Sequence, residues 1–136
     1  MLFRSSKAAI DLAIADIDKA IKNAATRVPI TSAKTLVAVA GTATTVAAAA
    51  LGLESYDLDL IHLSRISAEK THQVCQSLLT LERSEITSLG YMHPGRVDVI
   101  AAGSLVLSRI MAIRGVSEFV ASESDILDGM ALLLAK

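Results

Sequence analysis

Residues Val37 to Ala47 read Val-Ala-Val-Ala-Gly-Thr-Ala-Thr-Thr-Val-Ala, and no other stretch limits the fold of this chain as tightly. Valine at alternate positions before Gly41, then a run of Thr and Ala, predicts a strand, a glycine turn and the start of a helix. A strand that feeds a helix this abruptly leaves the first backbone N–H groups of the helix bare at the strand tip, at the positive end of the helix dipole. The usual occupant of such a tip is a phosphate. The same pattern also describes a plain turn in which threonine caps the helix, and the two readings are compatible.

With 136 residues the chain has room for one domain and one core. Hydrophobic residues make up 52% of it but aromatics only 3%, with no Trp. A core of Ala, Leu, Ile and Val favours closely packed helices over an all-β sandwich. The longest uncharged stretch, Thr35 to Leu53, is mostly Ala broken by Gly41 and threonines. It lacks the Leu and Ile density of an inserted helix, so no membrane span is expected. No signal peptide is evident at the start of the sequence, which makes the cytoplasm the default location. Thirteen basic and 14 acidic residues are well mixed, for a net charge of −1, so nothing points to a nucleic-acid partner. The single cysteine, Cys75, excludes an internal disulfide and reads as a small buried hydrophobe. His62, His72 and His93 have neither i,i+4 pairing nor cysteine neighbours, so no metal site is expected from them.

Along the chain, Ile10, Ile14, Ile17 and Ile21 mark an amphipathic helix over 6–25, with Ser5 or Ser6 as its cap. Thr35 to Ala40 reads as a buried strand, and Thr42 to Leu51 as a helix ended by Gly52. Residues 54–64 are irregular, with an extended piece at Leu60 to Leu63. Ser67 opens a helix running to Leu81, with Ile66 as its staple residue. A bent continuation from Arg83 to Leu89 leads to a His93-Pro94-Gly95 turn. Arg96 to Arg114 reads as the longest helix. Its Ala101-Ala102-Gly103-Ser104 patch implies close approach of another backbone, which offsets the cost of an interior glycine. Gly115 ends that helix, Val116 to Val120 reads as a second strand, and Ser124 caps a final helix over Asp125 to Ala135. The expectation is a helix-rich α/β fold with at least five helices and two or three short strands. So few strands make a poor sheet alone. The chain is therefore expected to be a piece of something larger, or to pair with another copy as a homo-oligomer.

Four pieces, in order, carry a family resemblance. Val39 to Ala47 resembles the strand–loop–helix of the exopolyphosphatase / guanosine pentaphosphate phosphohydrolase (Ppx/GppA) family. Tyr56-Asp57 and Ile61-His62 look like its Tyr-Asp and Val-His segment. Arg96-Val97-Asp98-Val99-Ile100-Ala101-Ala102-Gly103 is similar to its Arg-Ala-Asp-(Ile/Val)-Ile-x-x-Gly motif. Ser122 with Asp125 to Gly129 resembles its Ser-x-x-Gly-Leu-Arg-Glu-Gly ending, with Leu127-Asp128 where much of the family has Arg-Glu. The role of that family arginine therefore does not carry over.

The resemblance implies an incomplete ribonuclease-H-like domain of the actin-like ATPase superfamily, with residues 1–136 forming the C-terminal part of the second domain. It also implies Mg²⁺-dependent hydrolysis of a terminal phosphoanhydride, on polyphosphate or guanosine pentaphosphate. The family's Asp-x-Gly-Ser loop, its catalytic glutamate and its second phosphate loop do not occur in this sequence. No catalytic residue is assigned here, no metal is expected on this chain alone, and the chain alone is expected to be inactive. Phosphate or nucleotide contacts are expected at Gly41, Thr42, Ala43 and Thr44, with Arg96 as a further candidate. Arg96 begins its predicted helix, a poor place for a cation. A bound anion and an ion pair, to Asp98 or across a domain interface, both answer that mismatch. His62, Asp98 and Asp128 read as structural. The alternative from another class is a helical interaction or oligomerisation module with no phosphate chemistry.

Overall fold

The computed structural model describes residues 6–135. Three short strands form one sheet: β1 (Val37–Val39), β2 (Arg65–Ser67) and β3 (Glu118–Ser122). The order is β1-β3-β2, with β1 parallel and β2 antiparallel to β3. Val37 pairs with Val120 and Val39 with Ser122, so both parallel strands end at the same edge. The described residues contain seven α-helices: α1 (Lys7–Ala25), α2 (Ala40–Leu51), α3 (Leu58–Ile61), α4 (Ala68–Thr80), α5 (Arg83–Ser88), α6 (Ile100–Arg114) and α7 (Ile126–Leu134). Among the described residues no helix is long and apolar enough to cross a membrane.

The core lies between the sheet and the helices. Val46, Ala47, Ile61, Ile66, Met111 and Phe119 form its centre, each at 1% exposure or less. Alternation explains the sheet side of it: Ala121 and Phe119 face the helices, while the intervening Val120 is only half-buried. Alanines on α2 let α4 and α6 pack close. A polar seam between α4 and α6 joins His72 Nδ1 to Ser108 Oγ at 2.6 Å. Cys75 lies in this seam, fully buried, and burial pushes its thiol pKa up, as befits an inert core residue.

Several elements depart from the sequence reading. β1 is an edge strand, not a buried one, with Val37 and Val39 more than half exposed. The alternation Val-Ala-Val marks a half-buried strand, and it is Ala38 that meets the core. Leu60 to Leu63 is not extended. Asp57 Oδ1 accepts from the N–H groups of Asp59 and Leu60, which starts α3 instead, and the strand follows at Arg65–Ser67. β3 begins two residues later than predicted, at Glu118. The last helix is capped by Asp125 rather than Ser124, through a capping box with Asp128.

α1 contributes no fully buried residue. Ile10, Ala13, Ile14 and Ile17 pack on the Cys75, Leu79 and Leu105 cluster. A forked ion pair adds to this, with Arg109 Nε and Nη2 donating to Asp18 Oδ1 and Oδ2 at 2.8 and 2.7 Å. The Arg109 hydrogen bonds hold the Asp18 carboxyl below its ordinary 3.8, outweighing partial burial, with the charges of Arg109 and Lys22 assisting. A depressed carboxylate stabilises the fold fully above its unfolded pKa, and that contribution disappears as pH falls through the folded value. Amide protection in α1 should therefore hold from neutral pH down to about 4 and then decline. Asp18→Asn should lower it at every pH. Equal α1 protection in both proteins at neutral pH would contradict this anchoring.

Candidate functional site

The site lies at the edge where β1 and β3 both end. The turn from β1 into α2 is made by Ala40, whose φ is +68°, and not by Gly41 as the sequence predicts. A non-glycine residue in the left-handed region stores on the order of 1 kcal/mol of strain. Gly41 has another reason to lack a side chain. A Cβ placed there would lie 2.5 Å from Arg96 Cζ and 2.6 Å from Arg96 Nη2. The glycine is the floor on which the Arg96 guanidinium rests.

Arg96 does not begin α6. It ends a short 3-10 turn, Pro94–Arg96, and α6 starts four residues later at Ile100. The dipole mismatch that the sequence implies with α6 therefore falls on α2 instead, whose first turn the guanidinium reaches. Its Nη1 donates to Thr45 Oγ1 at 3.0 Å, and its Cζ lies 6.0 Å from the Tyr56 ring centroid. Asp98 is not its partner. Asp98 Oδ1 accepts from Arg83 Nε at 2.7 Å, and the Arg83 hydrogen bonds depress the Asp98 pKa. Among the described residues Arg96 has no carboxylate within ion-pair distance.

The threonines divide their roles. Thr42 turns toward α6, where a Cβ on Gly103 would fall 2.8 Å from its Cγ2 and Oγ1. The bare patch on α6 thus accommodates a threonine side chain rather than a backbone. Ala43 is buried at 5% exposure. Thr44, 2% exposed, sits 3.4 Å from the Ala40 and Gly41 carbonyls and 2.7 Å from Tyr56 Oη. Its hydroxyl is engaged inside the protein and cannot serve as a surface donor. No side chain caps α2. Ala43, fourth in the helix and buried, uses its N–H inside α2, contrary to the sequence expectation; the first turn leaves the backbone N–H groups of Gly41 and Thr42 without a partner in the helix. A groove of about 370 Å³ between β1, α2 and α6 includes Thr42 and Ala43, while Arg96 lies outside it.

Three further residues stand behind the site without lining it: Thr45, Tyr56 and Glu123. Tyr56 Oη donates to Glu123 Oε1 at 2.6 Å. Burial raises the Tyr56 pKa above 10.0, as does the Glu123 hydrogen bond, while Thr44 and Arg96 pull the other way. The phenol thus stays protonated and donating. Glu123 N–H donates to His62 Nδ1 at 3.1 Å, so His62 is a structural histidine whose Nε2 carries the proton in the neutral ring. Tyr56 stands in a recognisable motif. The signal for Glu123 is weaker: an acidic residue one step past a strand that ends beside the Gly41 turn. No group of three or more His, Cys, Asp or Glu side chains among the described residues could hold a metal.

This helix-rich α/β architecture is shared with the crystal structure of the Aquifex aeolicus Ppx/GppA phosphatase, which superposes with a TM-score of 0.78 at 16% identity, over 93% of this chain and 41% of that one. The Ppx/GppA phosphatase family matches residues 2–132, and the chain belongs to that family. The crystal structure of an exopolyphosphatase-like protein superposes with a TM-score of 0.91 at 36% identity, covering 93% of this chain and 42% of that one. Exopolyphosphatase 2 of Mycobacterium tuberculosis is 45% identical over 112 residues, or 79% of this chain. The chain spans 35% of the length of that relative.

Proposed function

We propose that this chain forms one wall of a phosphate-binding cleft in a hydrolase that cleaves terminal phosphoanhydrides, of polyphosphate or of guanosine pentaphosphate. The observation that carries this reading is the Arg96 guanidinium, resting over the uncapped first turn of α2 with no carboxylate partner among the described residues. A 12-residue helix offers bare N–H groups and a dipole end, and the arginine adds a forked donor suited to phosphate oxygens. Gly41 and Thr42 contribute backbone N–H groups, while that of Ala43 is spent inside the helix. Thr44 and Thr45 act from behind, through Tyr56 and Arg96. The names of the relatives support polyphosphate as a substrate class.

The residues described here do not fit a resident metal. We assign Mg²⁺, the activating glutamate and the attacking water to the part of a family-length cytoplasmic enzyme outside this sequence. The 136-residue chain alone should release no phosphate from either substrate. A family-length protein carrying it should release phosphate from at least one, with Mg²⁺ present. Arg96→Met in that protein should cost about a hundredfold in turnover, the scale of a lost transition-state donor. Undiminished turnover in the variant would remove Arg96 from the cleft.

A second reading, association without phosphate chemistry, is favoured by α7. That helix has no buried residue, and Ile126, Leu133 and Leu134 are each more than 70% exposed. Together with the open edge of β1 it offers a surface on which two copies could pair. Light scattering on the eluting chain tests this, since a monomer at high concentration would exclude it.

A further inference from the structure

Tyr56 and Glu123 have no part in the phosphate contacts, yet they stand at the root of the arginine that makes them. Glu123 follows β3 directly, and its backbone is tied down through His62. Its carboxylate and the Arg96 guanidinium face the same phenol from different elements. Opposite charges gathered around one hydroxyl would ordinarily close into an ion pair. Here no such pair is formed, and Glu123 Oε1 accepts from Tyr56 Oη at 2.6 Å.

From this geometry we infer that Tyr56 is a positioning residue: its hydroxyl holds the Glu123 carboxylate away from Arg96 and so leaves the guanidinium open to an anion. The inference rests on the phosphate site proposed above. Three features support it. The ring of Tyr56 lies beside the guanidinium and limits its motion. Thr44, anchored in α2, places its Oγ1 2.7 Å from the phenol oxygen and so holds the hydroxyl from the third side. Arg96 itself is held by a neutral hydroxyl, Thr45, which orients the cation without neutralising it. Without the Tyr56 hydroxyl, Glu123 would lose its donor, and the guanidinium beside the same ring is a cationic replacement. The ion pair so formed would compete directly with phosphate.

The test is calorimetric titration of the full chain with inorganic tripolyphosphate at low salt, on five proteins. The unaltered chain should bind, and Arg96→Met should bind at least about tenfold more weakly. Tyr56→Phe keeps the ring but not the hydroxyl, and should weaken binding about fivefold. Glu123→Gln retains an acceptor without the charge and should bind as well as the parent or better. The combined Tyr56→Phe, Glu123→Gln protein should recover the affinity of Glu123→Gln, since no carboxylate is left to compete. A merely structural role for Tyr56 gives no such rescue. An unrescued double variant, or Tyr56→Phe binding like the parent, would overturn the inference while leaving the phosphate site intact. Weakened binding by Glu123→Gln alone would overturn it too, and that variant does not depend on Tyr56→Phe folding. No binding by the unaltered chain, or none of it lost in Arg96→Met, would instead remove the phosphate site and this inference with it.

Discussion

A Gly41→Ala protein is expected to fold as the parent does and to bind inorganic tripolyphosphate at least about tenfold more weakly. The two halves of this result have separate causes. Gly41 does not use the left-handed region, so alanine meets no backbone penalty there. In a helix alanine is favoured over glycine by up to about 1 kcal/mol. The new Cβ collides only with the far end of a flexible side chain, at 2.5 Å from Arg96 Cζ, and the guanidinium can swing aside. Thermal stability should therefore change by no more than about 1 kcal/mol. The displaced guanidinium, however, no longer lies over the first turn of α2, and its charge-assisted bonds to phosphate are lost. Calorimetric unfolding and titration on one sample separate the two effects. Full affinity with the methyl group in place would show that Arg96 need not sit where it does.

Gly90→Ala should do the reverse and damage the fold itself. Its Cβ would run into the carbonyl oxygen of Glu54 and lie 3.3 Å from that carbonyl carbon. Both colliding partners are backbone, so neither can rotate away as the Arg96 guanidinium can. Relief requires moving the loop after α5 or the loop before Tyr56, at a cost of about 2 to 4 kcal/mol. Because the second loop carries Tyr56, movement there would also loosen the hydrogen bonds to Thr44 and Glu123. Urea unfolding reads the loss directly. A change below about 0.5 kcal/mol would mean that the loops are free to separate. Gly52 and Gly115 offer a contrast. They need positive φ, +69° and +65°, but a Cβ at either meets open space, so alanine there should cost only about 1 kcal/mol.

Helix positions were legible wherever local chemistry decides them. The isoleucine spacing over α1, the Ser67 cap of α4, and the left-handed caps at Gly52 and Gly115 all stand where the residues place them. Strand positions were less so, because each strand here is three to five residues long and owes its place to its partners. β2 exists because Ile66 finds Phe119 across the sheet, and nothing within Leu60 to Ser67 announces that register. The candidate site shows the same division. Gly41 and Arg96, 55 residues apart, could each be picked out, one by its turn pattern and one by its motif, but their contact could not. Thr44 illustrates how a hydroxyl placed by spacing at a helix start can still be turned inward by a tyrosine from another loop. Glu123 enters only because β1 and β3 run parallel and end side by side.

The most direct test of a phosphate wall at the first turn of α2 is a heteronuclear NMR titration of the isotopically labelled chain with inorganic tripolyphosphate. Saturable shifts of the Gly41 and Thr42 amides and of the Arg96 side-chain Nε–H are expected, all absent in Arg96→Met. Shifts confined to other residues, or none at these three while the chain stays folded, would contradict a phosphate wall there.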